Sequence, residues 1–360
     1  MKNIFLFILS LTLLVDLSAQ KKNAENLVII TLDGFRWQEV FGGADDSLIN
    51  NPEFSFDTAA LKKKYWAATP DDRRKQLLPF FWNTIAVLGQ LHGNRNLGSK
   101  VNVKNRYWFS YPGYNEIFSG YPDTLVNSND KNLNKNITVL EFINKQTQFK
   151  NKVAAFTSWD VFDAIFNEPR SGLMVNSGID PVKIISPEFT LLNNMQMHTP
   201  MPLGEDVRPD FLTYYFAKEY IKANKPKVLY IAFDETDDYA HSGRYDYYLN
   251  TAHIEDVWIS DLWSMLQTMP EYKNKTTLLI LCDHGRGDKV KKEWTSHGAK
   301  IEGADQIWLA ALGVGIAPEG EAKKDEQLYQ AQIAQTIAHL LGLNFIADQP
   351  IEKAMTGIAK

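Results

Sequence analysis

The sequence has almost no cysteine. Cys282 stands alone, so no intramolecular disulfide can brace the chain. It also has no basic excess: 38 Lys and Arg face 43 Asp and Glu, for a net charge of −5. A protein that grips a phosphate backbone shows the opposite balance, so no nucleic-acid polymer is expected as a partner. A small anionic substrate stays compatible, because a bound metal outweighs the net sign locally. Bilayer-length apolar runs are missing too. Ile4 to Val15 is mostly apolar but shorter than the roughly 20 residues a spanning helix needs. With Lys2 before it and Leu17-Ser18-Ala19-Gln20 after it, this run reads as a signal peptide over residues 1–19, without a cysteine to carry a lipid anchor. The expectation is an exported chain, periplasmic or secreted, with no transmembrane segment in its mature form. Internal repeats and low-complexity tracts are absent. Apolar residues at 44% and charged residues at 22% exclude disorder or coiled coil as the main state.

What is present is a series of short apolar runs rich in β-branched residues. Leu27-Val28-Ile29-Ile30-Thr31-Leu32 ends in Asp33-Gly34. Runs at 153–157, 228–233, 277–281 and 307–312 look alike. Such runs predict strands buried on both faces. Helical patterns lie between them. Thr69-Pro70-Asp71-Asp72 opens one, with a cap residue, Pro in the first turn and acids behind it. Others run over 207–223, 248–269 (stopped by Pro270) and 328–341 (stopped by Gly342). Alternation of buried strands with helices predicts an α/β fold, a mostly parallel sheet with helices on both faces. Residues 20–360 read as one domain. Two stretches look inserted, about 51–104 and 161–227. The second, with Met195, Met197 and Met201, reads as a cap over the site.

Acids and histidine follow three of the strands directly. Asp33 follows the first, Asp234 to Asp238 the third, and Asp283-His284 the fourth. In open α/β sheets, sites form beyond the carboxyl ends of the strands, so residues scattered in sequence can meet there. Four motifs carry the chemistry: Leu32-Asp33-Gly34-Phe35-Arg36, Asp234-Glu235-Thr236-Asp237-Asp238-Tyr239-Ala240-His241, Cys282-Asp283-His284-Gly285 and Trp294-Thr295-Ser296-His297-Gly298. Mixed carboxylates and imidazoles are what two divalent metals require, and they suit zinc or manganese. Any one motif alone also reads as a turn or a solvated loop; four together read as a metal site.

In kind and order, these motifs resemble the alkaline phosphatase superfamily, nearest its type I phosphodiesterase/nucleotide pyrophosphatase branch. The resemblance implies an alkaline phosphatase-like sheet and two metals. Asp237, His241 and His297 would hold one, with Asp234 as the alternative to Asp237. Asp33, Asp283 and His284 would hold the other together with the nucleophile. That nucleophile matches Ser110, in Phe109-Ser110-Tyr111-Pro112, ahead of Gly120-Tyr121-Pro122. The family's phosphate-binding Asn has three matches here, Asn127, Asn129 and Asn115, and Arg36 is a candidate cation near the first motif. The gap from Asp33 to Ser110 exceeds the one in the animal phosphodiesterases.

The function implied is hydrolysis of a small phosphate ester, a phosphodiester, through a phosphoseryl intermediate. Rival readings are phosphomonoesterase, phosphonate hydrolase or phosphotransferase activity. Monoester cleavage calls for extra cations, for which Arg36 and Lys104 are candidates. A sulfatase is disfavoured, because Ser110-Tyr111-Pro112 continues to Tyr114 where a modification signal needs Arg. A non-catalytic binding protein of the same fold would not need the full set of ligands and the hydroxyl.

Overall fold

The computed structural model describes residues 23–358 except Pro202 and Glu205. The signal peptide reading lies outside the described residues. The strands are β1 (Asn26–Leu32), β2 (Gly89–His92), β3 (Ser99–Asn102), β4 (Val153–Thr157), β5 (Met174–Ser177), β6 (Val228–Phe233), β7 (Thr276–Leu281), β8 (Gln306–Ile307), β9 (Leu309–Gly313), β10 (Gly320–Glu321) and β11 (Glu326–Tyr329). Eight form the main sheet, in the order β10-β2-β9-β7-β1-β6-β4-β5; β11-β3-β8 form a small second sheet. From β7 to β5 every pairing is parallel, while β9 runs antiparallel to both β7 and β2. Every residue of β1, β4, β6 and β7 is buried, as strands covered on both faces must be. Their continuous apolar runs are the cause, and cutting Ile29 to Ala should cost about 2–5 kcal/mol.

Helices that frame the sheet and its edge are α1 (Pro70–Leu77), α2 (Ser110–Ser119), α3 (Pro187–His198), α4 (Asp210–Asn224), α5 (Glu235–His241), α6 (Tyr245–Leu266) and α7 (Ile333–Leu340). Thr69 caps α1 as its sequence predicts, its hydroxyl accepting from Asp72 N at 3.2 Å. Three boundaries differ from the sequence reading. The run at 307–312 is split, Ile307 ending β8 and Leu309 starting β9 in the other sheet. Leu328 and Tyr329 belong to β11, because they pair with β3, and α7 starts only at Ile333. The stretch 51–104 contributes β2 to the main sheet, so part of it is scaffold.

Register decides where the chemistry gathers. Leu32 pairs with Phe233, and Thr31 with both Ala232 and Leu281. Asp33 and Asp234 come one residue after the first pair and Asp283 two residues after Leu281, so all three leave adjacent strands at the same edge.

Candidate active site

Asp33 sits at the end of β1, 1% exposed, with its amide bound to the Phe233 carbonyl at 3.0 Å. Its Oδ2 accepts from the Tyr114 hydroxyl at 2.7 Å, and its Oδ1 is buried without a hydrogen-bond partner. Asp283 follows β7 and is also buried. Its Oδ1 accepts from Gly34 N at 3.1 Å, and its Oδ2 has no partner. Burial pushes both carboxyls well above the usual carboxylate range, and the neighbouring aspartates add to the shift. His284 is fully buried between them, with Nε2 3.3 Å from Asp33 Oδ1 and 3.4 Å from Asp283 Oδ2. Its Nδ1 lies 3.0 Å from the Gly285 carbonyl, which accepts a hydrogen bond from Nδ1–H and leaves the Nε2 lone pair facing the carboxylates.

The second group lies alongside. Asp237, on α5, has Oδ2 3.0 Å from His241 Nε2, one helical turn later on the same face. His241 Nε2 lies 2.9 Å from His297 Nε2, and His297 stacks on His284 with ring centroids 4.0 Å apart. His297 Nδ1 has no partner. Burial, followed by the neighbouring His284, pushes the His297 pKa down to about 2, so the ring is neutral with one nitrogen lone pair to give. Burial alone would raise the Asp237 pKa, but the Arg286 guanidinium above all, and the hydrogen bond from His241, hold it well below the usual range. Ligand atoms of Asp33, Asp283 and His284 fall within 4.8 Å of one another, as do those of Asp237, His284 and His297. Buried, partnerless oxygens beside bare imidazole nitrogens fit divalent cations, since burying such charges with nothing to offset them is costly.

Ser110 is the first residue of α2, with Oγ 3.4 Å from His284 Nε2. Local sequence fixes that turn. Asn105 Oδ1 accepts from the amides of Tyr107 and Trp108, bending the chain into the helix. Glu116, one face further along, accepts from the amides of Lys104, Asn105 and Ala331. Gly113 permits the close approach of α2, since a Cβ there would lie 2.6 Å from the Asp283 carbonyl oxygen. Gly34 (φ +55°) does the same for the carboxylates and imidazoles: a Cβ would lie 2.5 Å from Asp237 Oδ1 and 3.1 Å from His284 Cε1.

A cleft of about 380 Å³ opens over Ser110, Asp234, Asp237 and Asp238. Of the three asparagines, Asn129 lines it, and Asn129 Oδ1 accepts from Tyr111 N at 3.0 Å. Asn127 is exposed and borders a separate hollow. Asn115 is buried and committed, donating to the Tyr121 carbonyl and accepting from Asn134 and Asn136. Arg36 is not at the cleft. Its guanidinium is 1% exposed and paired to Glu39, with a further bond to the Gly287 carbonyl, so it corrects the expectation of a free cation. Lys104 pairs with Glu352 away from the cleft. Trp37, Tyr111, Tyr114 and Trp294, the aromatics near the motifs, are all buried in the core.

Sequence reasoning missed Arg286, two residues past His284. It is buried, paired with Asp237 Oδ1, and donates to the carbonyls of Trp294 and Thr295, which holds the His297 segment in place. Its position directly after Asp-His-Gly was the available signal. Trp159 and Lys131, which line the cleft, carried no motif.

Residues 185–345 match the family model of the Metalloenzyme superfamily. None of the curated proteins matches the sequence. Among solved structures, wild-type alkaline phosphatase PafA is similar with a TM-score of 0.62 at 12% identity, covering 94% of this chain and 99% of that one. The lipoteichoic acid synthase LtaP from Listeria monocytogenes gives 0.55 at 13%, covering 89% and 72%. The phosphonate monoester hydrolase of Agrobacterium radiobacter gives 0.53 at 12%, covering 92% and 76%. The chain therefore has the alkaline phosphatase fold. The superfamily resemblance drawn from the four motifs is borne out, and the metalloenzyme match spans the motifs that hold Asp237, His241, Asp283, His284 and His297.

Proposed function

We propose that the protein is a two-metal hydrolase of phosphate esters that cleaves phosphodiesters through a phosphoseryl intermediate on Ser110. One observation carries the reading: Ser110 Oγ lies 3.4 Å from the bare Nε2 of His284, beside two buried groups of carboxylates and imidazoles with oxygens left over. Asp33, Asp283 and His284 with Ser110 would hold one divalent ion, and Asp237, His241 and His297 the other. Zinc suits these donors, with manganese the second choice, and such ions supply Lewis-acid polarisation and lower the proton affinity of a nucleophile.

The chain's own residues do the rest. Packing of α2 on Asp283 aims Ser110 at the cleft. The Oγ–P bond forms as the P–O bond to the leaving group breaks, and the proton lost by Oγ ends on the departing oxygen, which leaves as the alcohol. Water then cleaves the Oγ–P bond, releasing the phosphomonoester and restoring the hydroxyl. The start of α2 and the side chain of Asn129 flank the phosphoryl position, where a helix N-terminus favours negative charge. Tyr114 keeps Asp33 oriented through its hydroxyl.

The diester preference rests on the cations. Lys131 is the cation among the described residues lining the cleft, and Asp160 and Asp163 hold it at 3.1 and 3.2 Å. Arg286 is taken by Asp237. Among the described residues lining the cleft, a dianionic monoester would find no unpaired positive side chain for its extra charge. An exported location accords with the sequence, and no helix among the described residues is long and apolar enough to cross a membrane. The test is turnover of a nitrophenyl diester by Ser110→Ala with bound metal quantified: metal retained and turnover lost supports the assignment, near-normal turnover removes Ser110 from the mechanism.

A further inference from the structure

The stretch that reads from sequence as a cap, 161–227, sends one carboxylate back to the catalytic edge. Asp210, the first residue of α4, is fully buried. Its Oδ1 accepts from Asp234 N at 2.9 Å and its Oδ2 from Glu235 N at 2.9 Å, the two amides that open α5. The bond is returned, since Asp210 N donates to Glu235 Oε1 at 3.0 Å. Ser158, the residue after β4, donates its hydroxyl to Asp210 Oδ1, and its own amide donates to the Ala232 carbonyl of β6 at 3.0 Å. The fully buried Arg208 braces this from behind, donating to Thr213 Oγ1, Asn176 Oδ1 and the Thr157 carbonyl, and Thr213 Oγ1 lies 2.7 Å from Ser158 Oγ. One carboxylate thus joins α4, the end of β4 and the turn from β6 into α5. Carboxylate bonds to backbone N–H groups are among the stronger hydrogen bonds, and low local dielectric strengthens them.

The element gripped in this way carries Asp237 and His241. It has seven residues, too few to hold a helix without support from the rest of the fold. Asp234, which precedes it, makes no capping bond with its own side chain, so Asp210 takes that place from across the fold. Asp237 N donates to the Asp234 carbonyl at 3.0 Å, so the peptide groups held by Asp210 set where Asp237 stands. Asp33 and Asp283 instead follow β1 and β7 directly, and their side chains are bound to Tyr114 and Gly34. Resting on the reading that Asp237, His241 and His297 hold a metal, we infer that Asp210 is a positioning residue for that ion alone: acting through the amides of Asp234 and Glu235, it sets the orientation of α5 that brings Asp237 and His241 to His297.

The test titrates chelator-stripped protein with zinc and follows binding by calorimetry. The wild type should bind two ions. Asp210→Ala should weaken one of them by about 10–100-fold and leave the other unchanged. Glu235→Ala, at a half-buried position, breaks the returning bond and should weaken the same ion, so it reads the link even if Asp210→Ala fails to fold. Glu235→Gln keeps an accepting oxygen and should bind as the wild type does. Thr213→Val disturbs Ser158 and Arg208 without touching α5, and should lose stability while holding both ions as tightly as the wild type. A His241→Ala background identifies the ion: with that ion already weakened, Asp210→Ala should add less than it does alone. Wild-type affinity for two ions in both alanine variants, both ions weakened alike, or an equal loss in Thr213→Val overturns the positioning role and leaves the two-metal reading standing. A wild type that binds fewer than two ions overturns that reading, and the inference with it.

Discussion

Two of the clusters of buried charge among the described residues are satisfied in opposite ways. Around Arg36 the protein supplies everything. Glu39 pairs with the guanidinium, Gly287 accepts from it, and Tyr245 donates to Glu39 at 3.0 Å. Around His284 the protein supplies too little. Three aspartates, the buried His284 and the half-buried His297 share one arginine, and Asp33 Oδ1, Asp283 Oδ2 and His297 Nδ1 have no hydrogen-bond partner. Burial alone does not mark a site; partnerless carboxylate oxygens gathered beside imidazole nitrogens do. The first cluster is a finished scaffold, and the second is shaped for cations from outside.

The largest effect expected is catalytic. Ser110→Ala should lower diester turnover by about 10³-fold or more while metal content holds, because attack is lost and the ligand carboxylates stay. Ser110→Thr should keep part of the rate. Steady-state kinetics with elemental analysis of the same samples checks both.

Breaking the scaffold cluster should cost stability instead. Arg36→Ala strands Glu39 in the core, at about 3–5 kcal/mol in urea unfolding, and added metal should not recover it. A loss that metal repairs would erase the distinction between the clusters.

Metal should act on the second cluster alone. Zinc at 100 times its Kd should stabilise chelator-stripped protein by about 2.7 kcal/mol, and His284→Ala should lose most of that gain. The pH dependence has a definite sign. Burial raises Asp33 and Asp283 above their unfolded values, so the folded stripped chain holds protons the unfolded chain releases. Its stability should be greatest below the ordinary carboxylate range near about 4 and fall as pH rises through the raised values. Metal should flatten that slope; a stripped protein that gains stability over the same range would contradict the account.

The smallest effect concerns Arg286, which belongs to both patterns. Arg286→Met frees Asp237, so the metal-linked gain in stability should grow by on the order of 1 kcal/mol. A smaller gain would mean that Arg286 serves the site mainly by holding the Trp294–Thr295 carbonyls.

Much of this was legible in the sequence, for a physical reason. Strands buried on both faces are continuous apolar runs, so β1, β6 and β7 announce themselves, and acids directly after them fall at one sheet edge. What was hidden depends on three-dimensional partners. Arg36 and Arg286 are equally plausible cations by motif position, and only packing assigns Glu39 to one and Asp237 to the other. Asn127 and Asn129 are two residues apart, yet one borders the cleft. Trp159 is one apolar residue among many until the return of the chain at Val207 places it at the cleft.

The central claim is that the His284 cluster holds two catalytic metals. Elemental analysis of gently purified protein, with diester turnover measured on the same sample before stripping, after stripping and after zinc return, tests it most directly. The account predicts two divalent ions per chain, loss of turnover with their removal and recovery with zinc. Full turnover by protein in strong chelator with no metal detected would contradict it.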